Sequence, residues 1–384
     1  MEAYLDNAAT TKCYAQVSEI VMQTMMVDYG NPSSMHRKGI AAERYVKEAA
    51  TQIASTMKVL PNEIYFTSGG TESNNWALIG TAMANRRRGN HIITTAIEHP
   101  SVSEPIEYLA EQGFEITRLG VNQQGIIDLE ELTTAVTPET ILVSIMYVNN
   151  EVGSVQPIAE IGSLLHQLRP DICFHVDAIQ AYGKYLINPK KMQIDLLSVS
   201  GHKIHGPKGV GFLYIRDKVK IAPLIYGGGQ QNGLRSGSDN VPGIAGLGIA
   251  AKEIHQNLEA KTKDLYALKQ HLLKGLGQLE AVTIHGMDAN EGAPHIINAS
   301  FLGVRSEVIL HSLEERGIYV SAGSACATHK RSKSPTLTAI KANPKMLESS
   351  IRFSFSSATT IAEIDYTLKA LAELLPMLRR YQRR

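Results

Sequence analysis

The stretch that most constrains this chain lies between residues 194 and 211. Residues 194–199, IDLLSV, carry the aliphatic and β-branched side chains of a buried strand. The run then stops at a polar, glycine-punctuated turn, SGHKIHGPKGVG, which holds Ser200, His202 and Lys203. In an open α/β sheet, the carboxyl ends of the strands are where ligands bind. A lysine fixed there beside a histidine, with Gly206, Gly209 and Gly211 letting backbone crowd close, suits a Schiff-base nucleophile. An ordinary exposed turn has the same spelling, and spacing leaves Lys208 open beside Lys203.

The surrounding chain supplies the sheet. Strand patterns at 63–66, 91–95, 115–119, 140–147 and 172–176 precede the strand at 194–199. Helical periodicity over 74–87, 102–112, 128–136 and 158–168 separates them, which predicts a mainly parallel sheet flanked by helices. At 384 residues the chain exceeds one compact core. We expect a large domain over 16–250 and a smaller α+β domain built from 1–15 and 251–384, with an amphipathic connector over 243–279. Strands at 296–301 and 350–355, and helices over 306–316 and 361–378, make up the second unit.

Charge narrows the function. Lys plus Arg total 38 against 37 for Asp plus Glu, a net charge of +1, so general binding to nucleic acid or to a membrane surface is not expected. Cys13, Cys173 and Cys326 form no CxxC and no paired framework, so neither disulfides nor a zinc site is expected. With no signal-peptide pattern and no apolar run of about 20 residues, a cytoplasmic protein is the simplest expectation.

Three further segments bear on chemistry. TSGGTES, residues 67–73, puts Gly69, Gly70 and Thr71 at a helix start, where free N–H groups receive a phosphate or simply meet a cap. FHVDAIQ ends a strand on Asp177, which either caps the next helix or holds a pyridinium nitrogen protonated, as pyridoxal phosphate requires. Arg352 interrupts an apolar strand and needs an anion, either a bidentate ligand carboxylate or a core Asp or Glu. His99, before Pro100, reads on its own as a loop histidine. Cys326 lies in SAGSACATH, where small neighbours leave a thiol accessible and His329, Lys330 and Arg331 favour the thiolate. Cys13 and Cys173 read as inert.

Together YLDNAATT, GNPSSMH, FTSGGTES, EHPSV, VNNEVGSVQP, HVDAIQ, SGHKIHGPKG, RSGSDNVPG, SAGSACA and IRFSFS run in the order of one family. Over nearly its whole length the chain resembles the cysteine desulfurases, class-V aminotransferase relatives with the pyridoxal-phosphate-dependent fold type I. That resemblance implies a seven-stranded, mainly parallel sheet in the large domain. It implies that Lys203 carries the cofactor, Asp177 faces the ring nitrogen, His99 stacks on the ring and shuttles protons, and Gln180 reaches the ring hydroxyl. Gly70, Thr71, Ser200 and His202 would hold the phosphate, with Ser238 reaching it across a homodimer interface. Asn150 and Arg352 would bind the carboxylate of L-cysteine, with Asn31 lining the same pocket.

By the same resemblance, Cys326 would take the sulfur as a persulfide for a protein acceptor, as in iron–sulfur cluster assembly, leaving L-alanine. Two departures stand out: Ser238 replaces the family's usual threonine, and Ala327, Thr328 and His329 alter the run after the cysteine. The alternatives are a selenocysteine lyase, another fold-type-I lyase or aminotransferase, or a catalytically quiet sulfur-transfer scaffold.

Overall fold

The structure is a computed structural model that describes residues 1–288, 290–322 and 334–381. Two sheets organise it. Strands in chain order are β1 (Ala3–Tyr4), β2 (Ile64–Thr67), β3 (His91–Thr95), β4 (Glu115–Leu119), β5 (Thr140–Met146), β6 (Cys173–Asp177), β7 (Leu196–Ser200) and β8 (Gly211–Ile215). The last seven form one sheet in the order β2-β8-β7-β6-β5-β3-β4. All neighbours from β7 to β4 are parallel, and β8 runs antiparallel to both β2 and β7. Every residue of β3, β5, β6, β7 and β8 is buried, which is why these strands read as continuous apolar runs rather than alternating ones.

Strand β8 departs from the expected pattern. The glycines at 206, 209 and 211 suggest only a turn, yet the chain forms a hairpin from β7 into β8, closed by Gly201 N–H donating to Val210 O at 3.0 Å. Gly211 is needed there: a Cβ would stand 2.5 Å from Val199 O and 2.8 Å from Gly69 Cα. The expected helix over 74–87 begins earlier, at Gly70, and widens into a π-turn over Trp76–Gly80 before resuming to Asn85.

The second sheet has the order β12-β13-β10-β9, with β9 (Val282–His285), β10 (Ile296–Phe301), β12 (Ser321–Ala322) and β13 (Ser350–Ser354) all antiparallel. β11 (Ile318–Tyr319) pairs instead with β1, in parallel. The single connector expected over 243–279 is two helices, Val241–His255 and Leu258–Leu276, broken at Asn257 by a left-handed φ of 52°. Val241–His255 places Ile244, Leu247 and Ile254 in the core around the large sheet. Leu258–Leu276 places Leu265, Leu268 and Leu272 in a second core with Phe301, Phe353 and Leu371.

The amino-terminal arm joins the two. Ala3 and Leu5 belong to the second core and Ala8 to the first. Leu5 N–H donates to Tyr319 O at 2.8 Å, Asn7 N–H to Ser354 O at 3.2 Å and Ala8 N–H to Ser354 Oγ at 2.8 Å. Among the described residues, no helix is long and apolar enough to cross a membrane.

Candidate active site

A cavity of about 270 Å³ opens at the carboxyl ends of the parallel strands, where the arm and β13 close over the sheet. Five of the seven strands of the large sheet lead into it. β2 leads into Gly70 and Thr71, β3 into His99, β5 into Asn150, β6 ends on Asp177, and β7 ends on Ser200 with Lys203 in the 3-10 turn that follows. Lys208 is exposed and does not line the cavity, so of the two lysines the geometry selects Lys203.

Lys203 Nζ donates to the carbonyls of Ala8 and Ala9, the latter at 2.7 Å. Its own carbonyl accepts from Lys184 Nζ at 2.9 Å. Lys184 is buried, and burial, reinforced by the charge of Lys203, pushes its amine down to about 7.

Asp177 is fixed by two donors, Asn74 Nδ2 at 2.8 Å and Ile179 N at 2.9 Å. Burial pushes its carboxyl up, opposed by the Ile179 N–H, His99, Asn74 and Lys203. A cationic N–H facing this carboxylate from the cavity supplies the stabilisation that burial removes.

His99 caps the helix Pro100–Glu111. Its Nδ1 accepts from Ser101 N at 3.1 Å, with Ser101 Oγ at 2.8 Å. A backbone N–H can only donate, so the neutral ring carries its proton on Nε2. Burial holds the ring below its ordinary pKa; Asp177 opposes this while Lys203 and Arg352 add to it. His202, 3.3 Å from Thr10 Oγ1 through Nδ1, is driven to about 4 by burial and by the charges of Lys203 and Lys208.

Gln180 Nε2 donates to Ala8 O at 3.0 Å, and His295 Nε2 stands 3.4 Å from its Oε1. On the phosphate-sized side, Gly69 has a φ of 147°, and a Cβ on Gly70 would come within 2.2 Å of Ile179 Cδ1. A larger residue at 70 would push Ile179, which also lines the cavity, out of its present place.

Arg352 stands in the middle of β13, 5% exposed. Nη1 donates to Asn150 O at 2.9 Å and Nη2 to Asp6 Oδ1 at 2.8 Å. Nε is buried and has no partner among the described residues. Both alternatives weighed for an arginine in this strand are thus present: an internal carboxylate and an unused donor.

The structure gathers Gly70, Thr71, His99, Asn150, Asp177, Gln180, Ser200, His202, Lys203 and Arg352 around one cavity. It does not bring Asn31 or Ser238 there. Asn31 is exposed, its side-chain oxygen accepting from Ser33 N at 2.9 Å, and Ser238 is exposed between Gly237 and Asp239. Cys326 lies outside the described residues. Sequence reasoning passed over Asp6, Asn74, Ser101, Lys184 and His295. Asp6 and His295 had a weak signal, a charge in an otherwise short apolar arm and a histidine opening a strand.

Residues 3–367 match the family described as aminotransferase class-V. The chain belongs to the class-V aminotransferase family. Within it, the chain is 40% identical over 380 residues to "Cysteine desulfurase IscS" of Clostridium botulinum, covering 98% of this chain and 95% of that one. It is 41% identical over 376 residues to "Cysteine desulfurase IscS" of Methanosarcina thermophila, covering 98% and 92%. Among solved structures, a "NIFS-LIKE PROTEIN" superposes with a TM-score of 0.93 at 38% identity, over 98% of this chain and 100% of that chain. As a class-V aminotransferase of this kind, the chain uses pyridoxal 5'-phosphate. The cavity fits it: a glycine-walled helix N-terminus for the phosphate, a buried carboxylate for the ring nitrogen and a lysine between them.

Proposed function

We propose that this chain is a pyridoxal-phosphate-dependent cysteine desulfurase that converts L-cysteine to L-alanine and holds the sulfur as a persulfide on Cys326. The observation that carries the reading is the meeting of Lys203, Asp177, His99 and Arg352 on one cavity. When bound, pyridoxal phosphate supplies a ring that draws electrons from the substrate's α-carbon.

The chain's own residues do the rest. Gly70, Thr71, Ser200 and His202 hold the phosphate, Asp177, itself held by Asn74, the ring nitrogen, and Gln180 offers the ring hydroxyl the Nε2–H that Ala8 O does not take. Arg352 and Asn150 orient the substrate by its carboxylate, which fixes the α-hydrogen toward Lys203. Lys203, held at the Ala8 and Ala9 carbonyls, takes that proton. The Cys326 thiolate attacks the substrate sulfur, so that an S–S bond forms as the Cβ–S bond breaks. The electron pair of the broken bond stays with the three-carbon skeleton, which takes a proton at Cβ from the His99 side and recovers its α-proton from Lys203 to give alanine.

The other two thiols are poorly suited to that attack. Burial pushes Cys173 well above the ordinary thiol range and raises Cys13 as well. A second copy of the chain fits the exposed apolar face of Met22, Met25, Met26, Val27, Tyr29 and Met35, and Ser238 is free to reach a partner's phosphate. The sulfur then passes to a protein acceptor in the cytoplasm, in service of iron–sulfur cluster assembly.

The test is mass spectrometry after incubation with L-cysteine. One added sulfur is expected on the Cys326 peptide together with alanine, and Cys326→Ala should release no sulfur. Sulfur on Cys13 or Cys173, with normal turnover by Cys326→Ala, would overturn the reading.

A further inference from the structure

The carboxylate clamp already holds a carboxylate. Asp6 Oδ1 accepts from Arg352 Nη2 at 2.8 Å, with the aspartate side chain 21% exposed and the arginine side chain 6% exposed. The backbone around Asp6 is pinned on both sides, since it bridges Ser354, Leu5 N–H donates to Tyr319 O and Asn7 N–H donates to Ser354 O. The backbone of Asp6 therefore stays beside Arg352 for as long as the arm lies on β11 and β13. Glu151 is the other carboxylate that senses Arg352, but it is engaged by Ser334 Oγ and makes no ion pair with the guanidinium.

A guanidinium has five N–H donors in a plane. One serves Asn150 O, one serves Asp6, and Nε serves nothing among the described residues. A substrate carboxylate that reaches the guanidinium from the cavity meets a cation already paired with Asp6. Two carboxylates then share one cation, and their mutual repulsion subtracts from what an unopposed arginine would give.

We propose that Asp6 is an affinity-setting residue of the substrate site, keeping Arg352 oriented and charge-compensated in the free enzyme and thereby weakening its hold on an amino-acid carboxylate. This rests on Arg352 being the substrate clamp. The device has a physical use: a buried arginine left unpaired costs stability, and one fully available would bind product as tightly as substrate. Asp6 answers both, at the expense of affinity.

The experiment titrates the cofactor-loaded protein with L-alanine, which lacks the reacting sulfur, and follows the cofactor's absorbance to obtain a dissociation constant. Asp6→Asn keeps an acceptor for Nη2 and removes the charge. It should tighten L-alanine binding by roughly three- to tenfold, the range for a partly exposed charge contact, while ethylamine, which has no carboxylate, binds as to the parent. A gain in affinity is not something a damaged structure produces.

Asp6→Ser serves if Asp6→Asn does not fold, with the same expected direction. Unchanged or weaker L-alanine binding in the folded variant overturns the inference, as does equal tightening of ethylamine. Arg352→Gln separates the two claims. Loss of L-alanine binding there, without tightening in Asp6→Asn, sinks only the role of Asp6, whereas parent-like binding by Arg352→Gln sinks the clamp itself.

Discussion

The cavity has two walls built in different ways. On the sheet wall, Gly70, His99, Asp177, Ser200 and Lys203 each lie within a few residues of a strand's carboxyl end, so local chain geometry delivers them. On the opposite wall, the Ala8 and Ala9 carbonyls, Asp6 and Arg352 meet only because the arm lies along β13, through contacts such as Ala8 N to Ser354 Oγ, 346 residues apart. The lysine belongs to the first wall, but its hydrogen-bond acceptors belong to the second. The lining groups of the sheet wall come from strand ends, while their electrostatic setting comes from long-range packing.

Substitutions on each wall should therefore fail differently. Lys203→Ala, on the sheet wall, should lower kcat by at least about a thousandfold while leaving a folded protein that still takes up pyridoxal phosphate weakly. Turnover assays with cofactor titration check this, and substantial residual activity would move the chemistry off the sheet wall. Ser354→Ala, on the arm wall, removes the acceptor of Ala8 N–H and should cost about 1 kcal/mol of stability. It should raise KM for cysteine more than it lowers kcat, because the arm carries lysine and clamp contacts rather than the reacting groups. A kcat loss with KM unchanged would erase the distinction between the walls.

The smallest effect on turnover is expected behind the sheet wall, at Glu98. This side chain is fully buried, accepts from Thr95 Oγ1 at 2.7 Å and Met146 N at 3.0 Å through Oε1, and leaves Oε2 without a partner among the described residues. Burial pushes its carboxyl up to about 8. The folded state thus binds a proton that the unfolded chain has released above the ordinary glutamate range, so this group makes stability fall as pH rises toward 8. Glu98→Gln does not titrate. Its melting temperature relative to the parent should climb between pH 5 and pH 8 and then level off; a flat difference would show that Glu98 is ionised in the fold.

Legibility in the sequence followed the same division. The sheet wall was readable because an apolar strand ending in a polar turn is a contiguous signal: it drew attention to Asp177 and to the pair Lys203 and Lys208, of which only Lys203 lines the cavity. β8 was passed over because the glycines at 209 and 211, which permit close approach to Gly69, also spell a turn. The break at Asn257 was hidden because amphipathic periodicity continues across it. Arg352 could be recognised as needing an anion, but nothing in its own segment names Asp6. Asn31 and Ser238, taken from family resemblance, lie away from the cavity within one chain, and Cys326 falls outside the described residues.

The arm also has a consequence in time. It is synthesised before the seven-stranded sheet, yet the strands it lies on, β11 and β13, are synthesised after that sheet. A nascent chain that has completed the seven-stranded sheet, with Lys203 in its turn, has yet to make Arg352 and the strand whose Ser354 holds the arm. Contacts of such long sequence separation form late. The cavity is therefore complete only once β13 has folded back onto the arm.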